Sequence, residues 1–279
     1  MPKKQKKLQK KSHTPRFLGQ HLLHNKFWIQ TIIRRANLTR NEHVIEIGPG
    51  LGALTLPLAK QVTKVTAVEL DHKFIEKLSK KICNIPNINL IHKDFLQFML
   101  PRYPFTVVSS IPYGITTPIL RKLLQHPSLT KAVFVLEKGA GKRITAKNTT
   151  NPEILCWRMQ FQLSLKETIH AHHFSPPPSV ESAILIVKRR KESLIPIHQA
   201  RIFFALASYG LASPNLPIHL AFRGIFTSRQ FTHLLRSIHT TRDQAIRTLN
   251  EYQWAIIFQT MIQYVDAHRW PKLKRHKKV

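Results

Sequence analysis

A short apolar run, His43-Val-Ile-Glu-Ile47, passes directly into Gly48-Pro-Gly-Leu-Gly52 and then into a stretch of helical character over residues 53–60. That order restricts the folds open to the chain. A strand that turns through clustered glycines into a helix is the opening unit of an open α/β sheet. Glycines let the backbone approach a ligand where a Cβ would collide. The ligand of such a sheet sits beyond the carboxyl ends of its strands. The stretch also fits the dinucleotide-binding pattern through Gly48, Gly50 and Ala53. Taken alone, it is equally a tight strand-to-helix turn.

The alternation continues along the chain. Lys64-Val-Thr-Ala-Val68 reads as a second strand ending at Glu69, followed by a helix over 71–82 with Phe74, Ile75 and Leu78 on one face. A third strand at 89–91 ends near Asp94, and a fourth over 105–109 ends at Ser110-Ile-Pro-Tyr113. Thr117 is expected to cap a helix whose first residue is Pro118. Residues 132–136 and 183–187 read as later strands, and residues 22–36 carry helical spacing through Phe27, Ile29, Ile32 and Ile33. The pattern predicts an α/β, Rossmann-like fold: a parallel sheet with helices on both faces. After Arg190 the strand pattern stops, and residues 202–209, 228–238 and 254–265 read as helices. The expected organisation is a basic disordered arm over 1–16, a catalytic domain over 17–190, a small helical RNA-binding domain over 191–268 and a basic tail over 269–279.

Charge points to the partner. The chain of 279 residues holds 44 Lys and Arg against 14 Asp and Glu, a formal charge of +30. A compact body with that excess repels itself unless a polyanion is near, and nucleic acid supplies one. The first acid in the chain is Glu42, and both ends are lysine-rich. No run of apolar residues reaches a spanning length, and the N-terminal lysines surround no apolar core of a signal peptide, so a cytoplasmic protein without membrane contact is expected. Cys83 and Cys156 form no CxxC pair and read as two reduced, buried thiols. The 16 histidines lack ligand spacing, so no metal is expected, and His172-His173 reads as surface or RNA-facing.

Three of the few acids fall at strand ends. Glu69 ends the second strand 21 positions after Gly48, where an acid accepts ribose hydroxyls. Asp94 ends the third, where it can accept from an adenine amine. Glu46 ends the first, and any one of the three can instead cap a helix. A nicotinamide dehydrogenase and a methyltransferase both fit so far. The fourth strand end separates them. Ser109-Ser-Ile-Pro-Tyr113 matches the Asp/Asn/Ser-x-Pro-Tyr class of amino-methyltransferase loops. An adenine N6 lone pair is delocalised into the ring. Accepting both N6 hydrogens, at the Ser110 side chain and a backbone carbonyl near Ile111, favours a pyramidal nitrogen that can attack. Pro112 stiffens the loop, and Tyr113 offers a face for a flipped base. Phe174-Ser-Pro-Pro-Pro-Ser-Val180 supplies a second aromatic, Phe174, on a stiff segment that also reads as a proline-rich linker.

These residues together resemble the ribosomal RNA adenine N6-dimethyltransferases over nearly the whole chain. The resemblance is carried by Phe17-Leu-Gly-Gln-His-Leu-Leu23, Glu46 to Thr55, Val65 to Glu69, Asp94-Phe-Leu96, Ser110 to Tyr113 and Phe174 to Ser182. Within that family the text is similar to the Erm branch, the macrolide-resistance methyltransferases, through Ile115-Thr-Thr-Pro-Ile119, Glu137-Lys-Gly-Ala140, Arg223-Gly-Ile-Phe-Thr227 and Asn250-Glu-Tyr-Gln-Trp254. The resemblance implies S-adenosyl-L-methionine as methyl donor. It also implies mono- and dimethylation of one adenine in protein-free or nascent 23S rRNA by a monomer, with macrolide, lincosamide and streptogramin B resistance as the consequence. Carried over, the cofactor contacts are His21, Leu23, Gly48, Gly50, Glu69, Leu70, Asp94, Phe95 and Ser110. The target-base contacts are Ser110, Tyr113 and Phe174, with Ile111 and Pro112 of the same loop counted among the catalytic residues. The chain departs from the family in having Ser110 and His21 where Asn is usual. Two other readings stand beside this one: a housekeeping small-subunit (16S) rRNA adenine dimethyltransferase, and an RNA-binding protein with weakened catalysis on the same fold.

Overall fold

Valine- and isoleucine-rich runs form the sheet because branched side chains pack well on a pleated surface buried on both faces. In the computed structural model, which describes residues 21–273, the seven strands of the main sheet are β2 (His43–Ile47), β3 (Lys64–Glu69), β4 (Ile88–His92), β5 (Phe105–Ser110), β6 (Leu129–Glu137), β7 (Phe161–Ile169) and β9 (Ser182–Arg189). A two-residue strand β1 (Leu22–Leu23) pairs antiparallel with β8 (Phe174–Ser175). The arm expected over 1–16, residues 17–20 of the first motif and residues 274–279 of the tail lie outside the described residues.

The sheet order is β4-β3-β2-β5-β6-β9-β7. The chain therefore winds outward from β2 in one direction, then crosses to β5 and continues in the other. The crevice opens where that order reverses, at the carboxyl ends of β2 and β5. The sheet departs from the all-parallel expectation at one strand: β9 runs antiparallel to both β6 and β7. An apolar run such as Ala183 to Val187 marks a buried strand but carries no direction.

Helices cover both faces: α1 (Lys26–Ala36), α2 (Thr55–Gln61), α3 (His72–Ile82), α4 (Thr116–Leu124), α5 (Lys138–Thr145) and α6 (Pro152–Gln160). Asn25 caps α1 by accepting from Phe27 N and Trp28 N, which ends β1 and starts the helix later than the apolar spacing alone suggests. Asp71 caps α3 through Lys73 N. The expected Thr117 cap is absent. A 3-10 turn, Tyr113–Ile115, runs straight into α4, whose N-cap is Ile115 without a side-chain bond, and Pro118 sits third in the helix. Proline is tolerated there because the first-turn N–H groups have no intrahelical acceptor.

Beyond β9 lie α7 (Ala200–Gly210), α8 (Ile218–Ala221), α9 (Ser228–Ser237) and α10 (Glu251–Tyr264). Their core is aromatic: Phe203, Phe222, Trp254 and Phe258 meet edge to face. Leu155 and Met159 of α6 belong to the same buried cluster, so α6 joins the helices to the sheet. Arg190 reinforces that joint. Its guanidinium lies 5.4 Å from the Tyr252 ring centroid and 3.4 Å from Glu251. Cys156 is largely buried, and burial pushes its thiol up to about 12. Cys83 corrects the buried-thiol expectation: it is exposed at the end of α3, where the chain has left the apolar face of the helix. Among the described residues no helix is long and apolar enough to cross a membrane.

Candidate active site

The carboxyl ends of β2, β3 and β5 converge on a cavity of about 370 Å³. Its wall includes His21, Gly48, Gly50, Glu69, Leu70, Asp94, Phe95, Ser110, Ile111, Pro112, Tyr113 and Phe174, residues drawn from six separate stretches of sequence. Leu23 is the expected site residue missing from it. Successive strand residues point to opposite faces, so with Leu22 in the wall Leu23 turns into the core. Ile47, Val68, Phe74, Lys93, Gly114 and Ile115 also line the cavity without having been expected.

The glycine turn shapes one side. Gly48 has φ +62°, and a Cβ placed on it would meet nothing within 4 Å. The backbone is thus bare toward open space, in a conformation that side chains resist. Gly50 has φ +54°, and a Cβ there would stand 2.7 Å from the Leu22 side chain, so β1 rests directly on the turn. The Gly50 N–H donates to Glu69 Oε2 at 3.0 Å, while Leu70 N and Asp71 N donate to Oε1 at 2.8 and 2.9 Å. Three of the four acceptor positions of this buried carboxylate are taken by backbone, leaving one on Oε2. Asp94 caps the short turn Phe95–Gln97 through Leu96 N (2.8 Å), which uses one oxygen and leaves the other.

Glu46 plays a different part. It is 2% exposed and accepts from Thr55 Oγ1 at 2.6 Å. Burial pushes its carboxyl up to about 8. The Thr55 hydroxyl opposes that rise, and the charge of Glu69 adds to it. Glu46 is not in the cavity wall; it ties β2 to α2 beneath the turn.

The loop after β5 shapes the other side. The buried Ser109 hydroxyl donates to Ile47 O at 2.6 Å, locking the loop to β2. Ile111 N donates to Val135 O at 3.0 Å and its side chain is buried, which fixes the direction of its carbonyl. Among the described residues no donor reaches that carbonyl or the Ser110 hydroxyl. Two adjacent acceptors are therefore left at the cavity wall, which suits an exocyclic amine with two hydrogens. Tyr113 is held by its hydroxyl, 2.5 Å from the Ser182 hydroxyl, and by the His21 ring, whose centroid lies 5.7 Å away. Burial raises the Tyr113 phenol above its ordinary range, the Ser182 bond opposes that, and the Glu137 charge adds to it. His21 Nδ1 lies 2.7 Å from Pro176 O. Phe174, buried and paired with Leu23 across β1 and β8, closes the wall. Ser109 and Ser182 are the structural anchors that residue type alone did not single out.

The geometry has counterparts among known proteins. Residues 11–263 match the family model described as ribosomal RNA adenine dimethylase. The chain belongs to this rRNA adenine N6-methyltransferase family. It is 44% identical over 269 residues, 96% of this chain and 94% of the relative, to an rRNA adenine N-6-methyltransferase of Bacillus licheniformis. It is also 35% identical over 210 residues, 70% of this chain and 71% of the relative, to the ribosomal RNA small subunit methyltransferase A of Listeria innocua. The crystal structure of the 23S rRNA methyltransferase ErmE superposes with a TM-score of 0.79 at 26% identity, covering 87% of this chain and all of that one. The fold is thus the Rossmann-like methyltransferase fold, with β9 reversed between β6 and β7. Among the described residues no group of three His, Cys, Asp or Glu side chains is placed to hold a metal ion.

Proposed function

We propose that the chain transfers methyl groups from S-adenosyl-L-methionine to the N6 amine of one adenine in 23S rRNA. It makes the mono- and dimethylated base and so confers macrolide, lincosamide and streptogramin B resistance. The observation that carries this reading is the meeting, in one cavity, of the Gly48 turn and the acids Glu69 and Asp94 with the open acceptors of Ser110 and Ile111. The bare backbone at Gly48 and the remaining oxygens of Glu69 and Asp94 fit a nucleoside-bearing cofactor: Glu69 for the ribose, Asp94 for the adenine amine. When bound, that cofactor supplies an electrophilic methyl group on a sulfonium.

The chain's own residues do the rest. Ser110 Oγ and the Ile111 carbonyl accept the two N6 hydrogens and localise the lone pair. Tyr113 presents its face to the extruded base from one side and Phe174 closes the other. The C-terminal helices and the basic ends hold the RNA through phosphates, and the pocket selects an unpaired base. The 23S reading is supported by the likeness to the 23S rRNA methyltransferase ErmE, which superposes over 87% of this chain, whereas the small-subunit methyltransferase aligns over 70%.

The deciding experiment is methyl transfer from labelled S-adenosylmethionine to protein-free 23S rRNA, with intact small subunits alongside and the modified base mapped. Label at N6 of an adenine in the drug-binding loop is expected. Label only in a small-subunit hairpin would move the chain to the housekeeping activity. Cofactor binding without any label would mark an RNA-binding protein.

A further inference from the structure

The cavity wall continues outward into a row of rings that none of these roles uses. His24 N donates to His173 O at 3.1 Å, lacing the segment that leaves β1 to the one that enters β8. From there the rings follow one another. Phe27 meets Trp28 edge-on at 5.2 Å, Trp28 lies 6.0 Å from His173, His173 lies 3.9 Å from His172, and His172 stacks on His170 at 6.0 Å. His173 directly precedes Phe174 of the cavity wall. Asn25 joins the two halves. Its Oδ1 caps α1, and its Nδ2 lies 3.1 Å from His173 Nδ1.

Phe27 is 62% exposed although it sits on a capped, rigid helix start. Core packing does not account for a large apolar ring held in water at that place. Lys26 precedes it and is exposed, as is His24, and His170 and His172 are exposed farther along the row. Glu181, the acid that meets the row at His170, is also held by Lys138 at 2.7 Å. The surface thus combines aromatic faces with cations. Aromatic faces stack any unpaired base, and cations face its phosphate. Extruding a target base also unstacks its neighbour, which then has a bare face to cover.

We propose that this row receives an unpaired nucleotide flanking the target adenine, with its base stacked on Phe27 and its phosphate against Lys26. The inference rests on the reading of the chain as an RNA methyltransferase, but its test reads binding rather than catalysis.

The probe is an RNA stem-loop with the adenine in its unpaired loop, used intact and with single abasic substitutions at each flanking position. Affinities are measured for the full chain and for Phe27→Ala and Phe27→Tyr, with thermal melting to check folding. Phe27→Ala is expected to raise Kd by roughly 5- to 150-fold, the range that one base on an aromatic ring spans. Phe27→Tyr, which keeps the ring, is expected to bind as the unaltered chain does. One abasic position should weaken the unaltered chain but add little to Phe27→Ala, a coupling that a merely structural role would not produce. An unchanged Kd for Phe27→Ala, independent effects at every flanking position, or no RNA binding at all would overturn the proposal. Labelled methyl transfer on the same RNA is scored separately: its failure alongside a coupled Kd removes the catalytic reading and leaves the row standing.

Discussion

The hydroxyls of Tyr113 and Ser182 lie 2.5 Å apart and tie the loop after β5 to β9, the one reversed strand of the sheet. Ser182 is fully buried and pairs with Glu137 at the end of β6, so the anchor cannot drift. The aromatic face of Tyr113 is thereby fixed relative to Ser110 three residues earlier. Ser182→Ala and Tyr113→Phe should each lower kcat several-fold and cost about 1 kcal/mol of stability, the net worth of one such bond. The double variant should be little worse than either single one. Tyr113→Ala, which removes the face itself, should lose far more activity. Single-turnover methylation and urea melts of the four variants check this.

Glu69 holds the glycine turn and β3 together with three backbone donors. Glu69→Gln replaces one acceptor oxygen by an amide NH₂ that must face a backbone N–H. The expected result is a loss of about 1–3 kcal/mol of stability and a fall in S-adenosylmethionine affinity of roughly tenfold or more. Calorimetric titration with the cofactor and thermal melting read the two effects. Unchanged affinity would show that Glu69 serves the turn and not the cofactor.

Ser110 is shorter than the Asn usual in the family and its hydroxyl rotates freely. As the attacking nitrogen gains positive charge, an acceptor beside it is worth about 1.5–3 kcal/mol. Ser110→Ala should therefore lower kcat by roughly 10- to 100-fold. Ser110→Asn should raise turnover and shift the product toward dimethyladenine, read as the ratio of the two modified bases by mass spectrometry. No gain for Asn would show that serine costs this site nothing.

Which of these features were legible in advance follows a physical pattern. The glycine turn, Glu69, Asp94 and Ser110 to Tyr113 are local signals, each fixed by residue type at a strand end, and all line the cavity. Leu23 lies outside the cavity wall because a two-residue strand sets which neighbour points inward, and nothing in Leu22-Leu23 distinguishes them. The reversal of β9 and the Ser182 anchor depend on partners far apart in sequence. β7 carries apolar residues at alternate positions, Phe161, Leu163 and Leu165, but follows directly on α6, whose burial on most sides blurs any periodicity.

Glu46 gives the chain a pH dependence of stability with a definite sign. Its folded-state pKa, pushed up to about 8 by burial, lies above that of a solvated carboxyl. The folded chain therefore holds a proton that the unfolded chain releases. The corresponding stability is fully present below the unfolded pKa of about 4.3 and is lost as pH rises through 8. Within that window the slope for one proton is about 1 kcal/mol per pH unit. Glu46→Gln keeps an acceptor for the Thr55 hydroxyl and cannot ionise, so it should abolish this component. Unfolding free energies of both proteins, measured in urea from pH 5 to 9, are expected to diverge steadily in favour of the glutamine variant and to run parallel above pH 8. Parallel curves across the whole range would mean that Glu46 is ionised in the fold, with a donor besides Thr55 compensating its charge.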